Sequence, residues 1–107
     1  MILDIILTEV KLCEVYTTSV HNNFNLLIES LGIYQHLWRP DELNITHARQ
    51  LIAPLESALE NLEFNKEKYR KHEPPGMCGK IELFIIFLKN LLESCKQHPN
   101  ATISVCR

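Results

Sequence analysis

The sequence predicts a mixed α+β domain, with N-terminal strands and a C-terminal strand in one small sheet packed against three main helices. Three observations predict it. Ile81, Phe84, Ile85, Leu88, Leu91, Leu92 and Cys95 recur at helical spacing. Pro99 then stops that helix, and Thr102-Ile103-Ser104-Val105 alternates as a strand does. The other strand-like segment lies at the opposite end of the chain, so the two termini are expected to meet in one sheet, in parallel or antiparallel order.

That N-terminal segment, residues 2 to about 19, is rich in Ile, Val, Thr and Tyr. Leu3, Ile5 and Leu7 share one side, and Cys13, Val15 and Thr17 resume the alternation after a slip of register. A slip implies a bulge or a turn. Thr8 to Lys11 lacks the Asn-Gly pair of a tight hairpin, which leaves one long bent strand and two short ones both open. From His21 the period is helical: Phe24, Leu27, Ile28 and Leu31 form a stripe, with Gly32 where a left-handed cap belongs. Residues 33–40 read as a connecting loop anchored by its aromatic side chains, with Arg39 held extended by Pro40.

Thr46 is the expected N-cap of a helix carrying Leu51, Ile52, Leu55, Leu59 and Leu62, kinked or restarted near Ala53 because Pro54 lacks a backbone donor. Asn65 to Lys71 reads as a short charged helix or turn, and His72 to Gly79 as a breaker. In the last helix Ile86 stands among Glu82, Lys89 and Glu93, while Leu83 and Phe87 widen the apolar stripe. Such a helix is either covered on two sides or part of a subunit interface formed by Leu83, Ile86 and Phe87.

Composition narrows the function classes. A chain of 107 residues builds one core and one domain. With 46% hydrophobic and 22% charged residues, neither disorder nor a fibrous class is indicated. The formal net charge of -2 supplies no basic face for nucleic acid, and Lys66, Lys68, Arg70 and Lys71 read as a solvated helix face. The first residues lack a positively charged leader and carry Asp4 inside the apolar run, so a cytoplasmic protein is expected, with no membrane partner. Cys13, Cys78, Cys95 and Cys106 show no metal-ligand spacing, so neither a metal nor another cofactor is expected and the cysteines read as thiols. Asn44-Ile45-Thr46 and Asn100-Ala101-Thr102 are glycosylation acceptors by pattern and would matter only outside the cell.

Three places carry residues capable of chemistry. Thr17 to Asn23 is a polar cluster where strand gives way to helix; capping explains most of it, while His21 and Asn22 are candidate ligand contacts. Trp38-Arg39 could clamp a planar or anionic ligand, although such an indole more often anchors a core. Cys78, in Pro74 to Gly79, would gain reactivity at a helix start but needs a histidine such as His21 or His72 within reach. No phosphate-binding loop or hydrolase motif accompanies them.

Taken together, Gly32-Ile33-Tyr34, Leu37-Trp38-Arg39-Pro40-Asp41-Glu42, Leu51-Ile52-Ala53-Pro54-Leu55 and Cys95 through Arg107 resemble the signature of a family of small uncharacterised bacterial and phage-borne proteins. The resemblance covers nearly all of the chain after Tyr16. His21-Asn22 fits the family's N-x-T-H-N segment, but Thr18 and Val20 stand where it has Asn and Thr, and Gly76 to Ile81 replaces its N-G-W-G-x-Y turn. If those positions line a shared polar pocket, the resemblance implies that this chain has lost much of the lining. The family has no assigned activity, so the resemblance speaks to fold. The leading expectation is a protein-interaction or regulatory module that binds another protein or itself as a homodimer. The rival is a small-molecule-binding protein or minor enzyme built on His21, Asn22, Trp38 and Arg39.

Overall fold

The structure, a computed structural model, describes residues 2–9, 13–21, 24–72 and 81–106. Strand β1 (Ile2–Glu9) is central, flanked by β2 (Cys13–His21) and by β3 (Thr102–Cys106), and both pairings are antiparallel. The two termini therefore do share one sheet. Leu3, Ile5 and Leu7 oppose Val20, Thr18 and Tyr16 of β2, and Ile5 and Leu7 oppose Val105 and Ile103 of β3. The register shifts between Leu7 and Thr8, where Thr8 opposes Glu14 and Val15 becomes an extra residue in β2. The bulge lies within β2 and not between Leu7 and Cys13, where the sequence pattern places the slip. The alternation expected through Cys13, Val15 and Thr17 is corrected too: Tyr16, Thr18 and Val20 take the helix-facing side and Thr17 is exposed. The segment is not one bent strand.

Leu3, Ile5 and Leu7 are fully buried, while Asp4, Ile6 and Thr8 on the other face are only half-buried. One face of the sheet therefore takes the helices and the other faces solvent, the usual condition of an antiparallel sheet.

The period-3.6 stripe begins later than the sequence suggests. His21 still belongs to β2, opposite Ile2, and α1 (Asn25–Ser30) is short. Its end is as expected: Gly32 has φ 77°, its N–H bonds the Glu29 carbonyl at 3.0 Å, and the Ile33 N–H bonds the Ile28 carbonyl at 3.2 Å. These two bonds form a Schellman cap, which needs a residue tolerant of positive φ between them.

Residues 33–40, expected as a loop, contain a further helix, α2 (Tyr34–Trp38). Ile33 and Leu37, four apart and both buried, point one side of this turn into the core, and the Tyr34 and Trp38 rings stack at 6.1 Å. Arg39 (φ -138°, ψ 56°) leaves helical geometry ahead of Pro40, which opens a 3-10 turn over Pro40–Leu43.

Helix α3 (Arg49–Phe64) runs unbroken through Pro54, so the helix does not restart near Ala53. Pro54 lies early in the helix and forfeits one bond to the carbonyl of Gln50, an exposed residue whose carbonyl can find water instead. Nor does Thr46 cap α3 with its hydroxyl. Gln50 reaches back, and its Oε1 accepts the N–H groups of Thr46 (2.8 Å) and His47 (2.9 Å). The next two N–H groups, of Ala48 and Arg49, bond the carbonyls of Ala101 (2.8 Å) and Pro99 (2.9 Å). The start of α3 is thereby riveted to the lead-in of β3.

Helix α4 (Lys66–Tyr69) continues α3 after Asn65, followed by a 3-10 turn over Arg70–His72. Helix α5 (Ile81–Gln97) returns antiparallel to α3, burying Phe84, Ile85, Leu88, Leu91, Leu92 and Cys95 against Leu51, Leu55, Ala58 and Leu62. His98 Nδ1 lies 3.1 Å from the Glu9 carboxylate, which ties the end of α5 to the end of β1. Among the described residues no helix is long and apolar enough to cross a membrane.

Candidate functional site

The residues singled out for a polar site do not assemble into one. His21 ends β2; Asn22 and Cys78, with the surrounding residues 22–23 and 73–80, lie outside the described residues. Trp38 is 4% exposed and packs in the core beside Tyr34, whereas Arg39 is exposed and pairs with Glu42 at 3.6 Å. An indole in the core and a guanidinium in solvent cannot clamp one ligand between them. The Trp38-Arg39 clamp is therefore corrected to a core anchor followed by a surface ion pair, because Leu37 and Trp38 must both be buried for α2 to dock.

Three surface hollows elsewhere are open rather than enclosed. One of about 360 Å³ is lined by Glu56, Leu59, Glu60, Glu63 and Leu92. Another of about 480 Å³ is bordered by Glu60, Glu63 and Phe64, and a third of about 230 Å³ lies between Pro40, Asp41 and Ile45 and the strand residues Ile103 to Val105. Among the described residues no cluster of His, Cys, Asp and Glu could hold a metal ion.

Titratable groups add little chemistry of their own. Cys95 is fully buried, and burial pushes its thiol up to about 11, so at neutral pH it is an inert apolar filler. Cys106 is exposed at the end of β3 and is also a free thiol. Two polar atoms that the sequence reading did not single out, Asn25 Oδ1 and His36 Nδ1, are buried with no hydrogen-bond partner. No period or motif marks them, because both sit at ordinary positions of short helices.

Burial lowers the pKa of His36 from its ordinary value of 6.5. The sign follows from proton uptake. As pH falls through about 6.5, the unfolded chain binds a proton that the folded chain resists, so the fold loses stability on acidification. Replacing His36 by Gln is expected to flatten the dependence of the urea midpoint on pH between about 7 and 5. An equally steep profile in the variant would assign the acid sensitivity to another group.

The surface most distinct in kind is the outer side of α5. Glu56 pairs with Lys96 at 3.0 Å, Glu63 with Lys89 at 3.3 Å and Arg70 with Glu82 at 2.9 Å, pairs that recur every two helical turns along an antiparallel seam. The hydrogen bond from Arg70 holds the Glu82 carboxyl below the usual carboxylate range. Ion pairs this exposed add little stability because water screens them, so their role is to favour one register of α5 against its neighbours rather than to hold the fold.

With Glu82, Lys89 and Lys96 marking the side toward α3, an advance of about 100° per residue puts Leu83 and Phe87 on the opposite flank. Ile86 lies on the solvent side between the two. Leu83 is 48% exposed and Ile86 55% exposed; Phe87 is half-buried, its ring tilted against Phe84 at 5.5 Å. The structure thus leaves all three residues accessible, Leu83 and Ile86 with about half of their surface in solvent.

Compared with known proteins, the chain matches no family model, no curated sequence and no solved structure. Function is therefore argued from these surfaces alone.

Proposed function

We propose that this protein is a small interaction or regulatory module whose contact surface includes Leu83, Ile86 and Phe87 and whose partner is another protein or a second copy of itself. The observation that supports this is the exposure of two large aliphatic side chains, three residues apart, on a helix whose other side is sealed by ion pairs. Isolated apolar side chains on a surface are ordinary, but here a half-buried Phe87 shares one helix with the exposed Leu83 and Ile86, which gathers three large apolar side chains on neighbouring positions. The resemblance to small bacterial and phage-borne proteins fits a cytoplasmic module of this size, and no cofactor is proposed.

The reading is tested by Leu83→Glu and Ile86→Glu. Both positions are exposed, so each variant is expected to keep the thermal midpoint within a few degrees of the parent. Each is also expected to weaken association by at least about tenfold, since a buried contact would then desolvate a carboxylate. Unchanged association in both variants, measured by analytical ultracentrifugation or against an isolated partner, would remove α5 from the contact surface.

A further inference from the structure

No further inference is drawn: the strongest candidate, the hollow between α3 and α5 lined by Glu56, Glu60 and Glu63 over Leu59 and Leu92, is an acidic cluster, and nothing in the structure shows what covers it.

Discussion

Ile5→Asp is expected to abolish folding, while Ile6→Asp, one residue along, is expected to be tolerated. Ile5 is 1% exposed at the centre of the middle strand, between Thr18 of β2 and Val105 of β3, and its side chain is roofed by the helical layer. A carboxylate there would have no partner, and an unpaired buried charge costs several kcal/mol, a large share of the 5–15 kcal/mol that holds a typical domain together. Ile6 points to the solvent face and is only half-buried, so its carboxylate stays hydrated and the loss is about 1 kcal/mol. Far-UV circular dichroism and soluble yield distinguish the two at once. The opposite order, with Ile6→Asp abolishing folding and Ile5→Asp tolerated, would mean that the register of β1 differs by one residue from that described, since such a slip exchanges the faces.

Phe84→Ala is expected to destabilise the protein by about 3–5 kcal/mol, the range for truncating a buried aromatic ring. Phe84 is 1% exposed, stacks on Phe24 at 5.2 Å and meets Phe87 at 5.5 Å, so it joins the start of α1, the core and the exposed stripe of α5. Its removal leaves a cavity where three elements converge and withdraws the support that holds Phe87 half out of solvent. Phe84→Leu keeps most of the volume and is expected to cost less than half as much. Urea titration of the three proteins gives the comparison, and a loss below about 1 kcal/mol for the alanine variant would show that the α1–α5 contact is not part of the cooperative core.

How legible the chain is depends on whether a signal is local. The helical stripe from Ile81 to Cys95, the strand after Pro99 and the Gly32 cap are each set within a few residues by periodicity or by a φ that few side chains accept, and each appears in the structure where the sequence places it. Where competing local signals balance, the outcome is decided at long range. The turn at Tyr34–Trp38 is too short to be stable alone, and it is helical because Ile33, Leu37 and Trp38 find a core to enter. Pro54 sits inside α3 because burial of Leu51, Leu55, Ala58 and Leu62 outweighs one lost hydrogen bond.

The candidate site divides in the same way. The exposed positions of α5 were readable, since one helix's own pattern shows an apolar side chain among charges. For Trp38 and Arg39 the sequence leaves a ligand clamp and a core anchor beside a surface charge both open, and the burial of Trp38 with Arg39 in solvent decides for the second. Nor could any pattern reveal the buried Asn25 Oδ1 and His36 Nδ1, or that residues 46–48 would cover one sheet edge while the described residues leave the other open.

The sequence by itself determined the α+β class, the last helix, the closing strand and the meeting of the termini, because hydrophobic period and turn chemistry act over a few residues. Only the tertiary structure decided the antiparallel order β2-β1-β3, the placing of α3 beside β3 and α5 beside β2, and hence which surfaces stay open. Those depend on burying area and pairing backbone groups between segments about a hundred residues apart, such as Asp4 against Cys106, and no local signal encodes such choices.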